Sequence, residues 1–412
     1  MTSNNPRRAA ALAALLLLTT KPPAMAEDRE PIVLTDAARR LHGAALVIDG
    51  HNDMPWEVRT QGDSSFDRID ISQPQPTLHT DIPRLREGGV GAQFWSVWAP
   101  VWTARRGAAL TTTLEQIALV KQMIRRYPDH FTLALTADDI DRARGQGKIA
   151  SLIGVEGGHC IENSLSVLNQ LYEEGARYMT LTHSDSLDWA DSATDKERSG
   201  GLSPFGEQVV REMNRMGMMV DLSHVSADTM HQAMRVSDAP VIFSHSSARG
   251  VADHPRNVPD DVLARLPEEG GVVMVNYFSA FVVPDSASIN KERLAKQREL
   301  EARYGDDQDA IRRELDRWAK DKPSPRGTIH DVLDHIDHIA RVAGIEHVGL
   351  GSDYDGVSML PEQLEDVSTY PYITQGLLDR GYSEEEVRGV LGENLMRVFR
   401  AVERVAEETD QR

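Results

Sequence analysis

Short apolar runs rich in Val, Ile and Leu recur along this chain, most of them followed by a segment whose apolar residues repeat at helical spacing. The runs cover residues 45–49, 91–98, 149–155, 177–182, 218–222, 241–243, 271–276 and 347–351. They are continuous rather than alternating, as strands buried on both faces must be. Helical segments fall at 114–126, about 164–175, 204–217, 227–236 and 329–342. Strand and helix alternating to a count of eight predict an α/β fold, a (β/α)8 TIM barrel of the metallo-dependent hydrolase type. A chain of 412 residues accommodates one such barrel with insertions, so residues 27–412 read as a single catalytic domain. One stretch breaks the rhythm. Residues 282–325 are dense in Lys, Arg, Glu and Asp and precede the helix before the last strand. This charged helical insertion would either wall a pocket or lie as a solvated surface helix. The tail 361–408 reads as helices closing the barrel.

At the N-terminus, Arg7 and Arg8 precede an apolar run, 9–18, and Ala24-Met25-Ala26 supplies small residues for cleavage. That is the pattern of a secretory signal peptide, 1–26, with an apolar run too short to span a bilayer. The expectation is an exported protein, periplasmic or secreted, without a membrane anchor. A net charge of −19 argues against a nucleic-acid partner, which would demand a basic face. Cys160 is the only cysteine, so an internal disulfide is excluded and the thiol reads as a small buried apolar group.

Catalytic groups of barrel enzymes gather at the C-terminal ends of the strands. There the chain places His51 and Asp53 after the first run, Glu156 after the third, His183 after the fourth, His224 after the fifth, His245 after the sixth and Asp353 after the eighth. Any one of these could be a cap or a satisfied core residue. Together on one rim they would cost several kcal/mol each to bury uncompensated. A metal supplies the compensation, and imidazole with carboxylate suits zinc. His51 and Asp53, two apart, can chelate one ion; His224 and His245, from adjacent strands, a second. Glu156 stands between the pairs and can bridge them. Trp56, Trp95, Trp98 and Tyr277 are candidates for an apolar pocket wall or for core packing. His159 and His254 lie near the site loops.

Several strings carry a family resemblance: Asp49-Gly50-His51-Asn52-Asp53-Met54-Pro55-Trp56, Gly154-Val155-Glu156-Gly157, Leu181-Thr182-His183, Asp221-Leu222-Ser223-His224, Phe243-Ser244-His245-Ser246-Ser247-Ala248, Arg256-Asn257-Val258-Pro259-Asp260 and Gly351-Ser352-Asp353-Tyr354-Asp355-Gly356. In order and content they resemble the membrane (renal) dipeptidase family, in a soluble bacterial-type form. The resemblance implies a zinc-dependent dipeptidase with two zinc ions per subunit, acting on small L-L and also L-D dipeptides through a metal-activated hydroxide. It implies metal binding by His51, Asp53, Glu156, His224 and His245. Asp353 would shuttle the proton, His183 would bind the substrate carbonyl oxygen, and Arg256 would pair with the substrate carboxylate. Asp355 is the alternative to Asp353; Asp353 comes first after the apolar run, whereas Asp355 beside Gly356 reads as a turn residue. Family members often form homodimers, on which this sequence is silent. A lactonase or phosphotriesterase would be expected to show His-x-His and a strand-end Lys instead of His51-Asn52-Asp53. A non-catalytic binding protein would be expected to have lost a ligand.

Overall fold

The computed structural model describes residues 29–305 and 307–411, so the expected signal peptide 1–26 lies outside the described residues. Nine strands form one parallel sheet: β1 Val47–Asn52, β2 Val90–Trp98, β3 Phe131–Leu133, β4 Ile149–Glu156, β5 Ala176–Thr180, β6 Met219–Asp221, β7 Ile242–Phe243, β8 Val272–Val275 and β9 Val348–Leu350. The order is β2-β1-β9-β8-β7-β6-β5-β4-β3, and an additional β2–β4 pairing closes a ring of eight that leaves β3 outside. Strand β2 takes one edge of β4 over Ala150–Glu156, while β3 and β5 share the other: β3 pairs with Ile149–Ser151 and β5 joins from Ile153 upward. The eight expected runs are the eight barrel strands. Strand β3 was not anticipated; a run of three residues, one of them Thr132, gives no apolar signal.

Each barrel strand presents two buried faces. Ile48, Phe94, Leu152, Tyr178, Met219, Ile242 and Met274 belong to one cluster, which fills the barrel and is closed beneath by Leu395, Met396 and Phe399 of the helix Asn394–Asp410. Alternating with them, Val47, Trp95, Ile153, Met179, Val220, Phe243 and Val273 pack against the outer helices. This double burial explains why the runs are continuous in sequence. Trp95 and Tyr277 are fully buried core residues, as is Cys160.

The first strand starts two residues later than expected, because Ala45 caps the helix Asp36–Ala44. The charged segment forms two helices, Pro284–Tyr304 and Gln308–Ala319, joined by a small cluster of Leu300, Ile311 and Leu315. The helix Ile329–Ala343 follows, started by a reciprocal cap between Thr328 and Asp331. No described helix is long and apolar enough to cross a membrane.

Candidate metal centre

Parallel register sets the strand ends at one level. Trp98 pairs with Glu156, Glu156 with Thr180, Thr180 with Asp221 and Asp221 with Ile242. Whatever follows these residues must therefore emerge on one rim, and His183, His224 and His245 do. All the expected site residues except Arg256 leave strand ends directly; Arg256 reaches the rim from the loop beyond β7.

Glu156 lies at the middle. Its Oε2 is 3.6 Å from His51 Nε2, and its Oε1 is 3.0 Å from His224 Nε2, 3.5 Å from His245 Nε2 and 3.6 Å from His183 Nε2. His51 Nε2 also lies 3.3 Å from Asp53 Oδ2. A tetrahedron with metal–ligand bonds of about 2.0–2.2 Å has edges of roughly 3.3–3.6 Å. The donors around Glu156 are spaced close to that and form two converging groups, His51–Glu156–His245 and Glu156–His183–His224. His51 Nε2 is buried with no hydrogen-bond partner. His51, Asp53 and Asp353 form a further group of converging donors.

Outer groups fix the imidazoles. Tyr178 Oη donates to the Gly50 carbonyl at 3.2 Å and so accepts from His51 Nδ1 at 2.8 Å. Ser244 Oγ donates to Asp221 Oδ2 at 2.6 Å and so accepts from His245 Nδ1 at 2.7 Å. Both rings are thereby held with Nε2 turned toward Glu156. Ser96 Oγ, on β2, donates to Glu156 Oε2 at 3.2 Å. Asp49, fully buried, accepts from Ser352 and Gln93 and ties β1 to β9 and β2.

Electrostatics match a cation site. Burial, with the Arg256 guanidinium and neighbouring imidazoles, drives His224 and His245 well below the ordinary imidazole value, leaving them neutral. Burial also lowers His183. Burial alone would raise Glu156, but the surrounding imidazoles hold it well below the usual carboxylate range. His51 shows the converse: burial opposes its charge, and Tyr178, Asp53 and Glu156 together outweigh that and raise it well above the usual range. Asp353 is pushed up to about 8 by burial, with the charges of Asp53 and Glu156 adding. A divalent ion among these groups would reverse that last shift.

The backbone here is unusual. His224, Asp353 and Asp355 adopt positive φ of 69°, 66° and 66°. Such conformations persist only where surrounding structure enforces them. A Cβ on Gly356 would collide with the carboxylates of Asp53 and Asp353, so only glycine allows them this approach.

Asp353 Oδ2 accepts from Asn276 Nδ2 at 2.7 Å. Asp355 is engaged elsewhere, its Oδ1 accepting from the His79 backbone at 2.6 Å. Sequence reasoning missed Asn276: it directly follows β8, the one late strand that delivers no ionisable group, and an amide raised no flag. Trp56 and Trp98 line a cavity of about 370 Å³ above Glu156, together with Phe278, Phe281 and Arg256. The two phenylalanines sit in an aperiodic loop and were not singled out either. Arg256 is 3% exposed, stacks over Phe281, and makes only long bonds, 3.5 Å to Ser246 Oγ and 3.3 Å to the His245 carbonyl. His254 supports it by accepting from Arg256 N at 3.2 Å. His159 bonds the Ala99 carbonyl and stands apart from the converging donors.

With this geometry, comparison with known proteins is decisive. Residues 35–412 match the model of the membrane dipeptidase family, peptidase family M19. The chain belongs to that family. An uncharacterized dipeptidase of Schizosaccharomyces pombe is 42% identical over 371 residues, 87% of this chain and 81% of that protein. Among solved structures, the probable dipeptidase PvdM from Pseudomonas aeruginosa is 25% identical, with a TM-score of 0.77, covering 90% of this chain and 98% of its own. A metallo peptidase from Rhodobacter sphaeroides, liganded with a phosphinate mimic of L-Ala-D-Ala, is 23% identical with a TM-score of 0.70 over 87% and 99% of the two chains. This M19 member is accordingly a hydrolase of the metallopeptidase class, a dipeptidase.

Proposed function

We propose that this M19 dipeptidase uses two zinc ions, one held by His51, Asp53 and Glu156 and the other by Glu156, His224 and His245. The observation carrying this is the division of Glu156, one oxygen toward His51 and the other toward His224 and His245. Bound zinc pairs of this kind acidify a water and polarise the carbonyl it attacks. The protein's own groups do the rest. Asp353, beside His51 and Asp53, takes the proton of the attacking water on its carboxylate and returns it to the leaving amine. His183 directs Nε2 at the substrate carbonyl oxygen and stabilises charge developing there. Arg256, buried with its Nε unpartnered, receives the substrate's terminal carboxylate. A longer peptide would carry no carboxylate at that distance from the scissile bond, which limits the substrate to dipeptides. The relative that binds a mimic of L-Ala-D-Ala supports extending the substrate class to L-D as well as L-L dipeptides. Export after removal of residues 1–26 completes the proposal.

The test is release of amino acids from L-L and L-D dipeptides and from matching tripeptides, alongside a metal count. Two zinc ions per chain with chelator-sensitive cleavage of dipeptides alone is expected. Cleavage of tripeptides at similar rates would remove the carboxylate clamp; a single ion at full activity would remove the bridged pair.

A further inference from the structure

A second cavity of about 330 Å³ opens beside the metal-site cavity. His224, Arg256, Phe278 and Phe281 face both, so the two are compartments of one space divided by these side chains. The outer wall is the insertion helix Pro284–Tyr304, which contributes Asn290, Arg293, Leu294 and Arg298. The charged segment is thus a wall of the substrate space.

Charge in this chamber is unevenly committed. Asp185 is matched by Arg105 at 3.1 Å, Asp195 accepts from the Ser186 backbone at 2.9 Å, and Glu301 accepts from Gln297 at 2.9 Å. Arg298 holds the Thr194 carbonyl. Arg293 has no hydrogen bond or ion pair with any described residue. Arg256, buried on the shared wall, has an unpartnered Nε. Among the guanidiniums of the chamber, Arg293 thus stands without a partner and Arg256 keeps a free Nε, and such groups match carboxylates in geometry. A lone exposed arginine is commonplace on a surface. One sharing a chamber with an under-bonded buried arginine is not.

We propose that the chamber is a subsite for an anionic side chain on the C-terminal residue of the substrate, Arg256 taking the main-chain carboxylate and Arg293 the side-chain one. The favoured substrates are then dipeptides ending in aspartate or glutamate. This rests on the function proposed above and names its substrate class.

Ala-Glu and Ala-Gln differ in charge and hardly in size. The metal-loaded wild type is expected to favour Ala-Glu in kcat/KM by roughly three- to fivefold, the upper worth of one exposed ion pair. Arg293→Met, a surface change that keeps the stem, should bring the ratio to within about twofold while leaving Ala-Gln cleavage unchanged. Calorimetry with uncleavable CH2–NH analogues of both peptides should show the same preference in Kd. Equal cleavage of both peptides by the wild type, or a preference that survives Arg293→Met, overturns the subsite and leaves the dipeptidase function standing. Tighter binding of the Ala-Glu analogue by a protein that cleaves no dipeptide overturns the function and keeps the subsite.

Discussion

Two hydroxyl groups decide which nitrogen carries the proton in two of the imidazoles around Glu156, His51 and His245. Ser244 spends its own proton on Asp221, so His245 must donate to it through Nδ1. Ser244→Ala frees the ring to adopt the other tautomer and to turn. Loss of such an outer partner typically lowers metal affinity by about 10–100-fold. The expected outcome is that shift in zinc affinity in a competing-chelator titration, with activity recovered in excess zinc; wild-type affinity would mean the serine is passive. Asn276 acts on Asp353 in a comparable way. Its amide is a donor to a carboxylate that burial pushes up to about 8, and the bond opposes that rise. Asn276→Ala removes a hydrogen bond to a charged group, worth about 1.5–3 kcal/mol. We expect kcat to fall roughly 10–100-fold, its acid limb to move to higher pH, and KM and zinc content to stay put. A fall in zinc content instead would make Asn276 a structural residue of the site rather than a partner of Asp353.

The insertion is an element with a core of its own. Leu300, Ile311 and Leu315, all nearly fully buried, join its two helices. Leu300→Ala opens a cavity costing about 2–5 kcal/mol, but within that local cluster. The expected result is faster proteolytic cleavage near residues 305–307 with little change in the global melting temperature, because sub-global units open independently. A melting temperature that falls by the full amount would make the insertion part of the barrel's cooperative unit. The charge density of this segment was legible in sequence, and its place before the last helix and strand also. Which of its two expected roles it takes, pocket wall or solvated helix, was not, since a helix polar on most sides looks the same whether it faces solvent or a pocket. The residues that converge at the rim were legible for the opposite reason: His51, Glu156, His224 and His245 each stand where an apolar run stops abruptly. Arg256 and His254 lie in a loop with no period, and only the motif around Arg256 gave it away. Phe278 and Phe281 had neither motif nor period.

Acid stability belongs to the molecule as a whole, and one buried histidine ties several of its parts together. His335, on the helix Ile329–Ala343, accepts from Ala248 N at 2.9 Å and donates to the Val282 carbonyl at 3.0 Å. It thereby joins the loop after His245 to the root of the insertion. The bond accepted from Ala248 N requires the neutral ring, and burial depresses its pKa to about 4. Because the folded value lies below the unfolded one near 6.5, the unfolded chain binds the extra proton between them. Stability from this group is complete above about pH 6.5 and declines as pH falls toward 4, by about 3 kcal/mol in all. Asp353 and Asp355, raised by burial to about 8 and about 7, act in the opposite sense in metal-free protein, gaining stability as pH falls through those values. Absolute stability therefore mixes opposing terms, and the histidine is read by difference. His335→Gln puts an uncharged amide in place of the imidazole. In urea unfolding with chelator present, the variant should be the less stable at pH 7, and the gap should close or reverse by pH 4.5. A gap that stays constant over this range would show that the ring is not the neutral acceptor that its bond from Ala248 N requires.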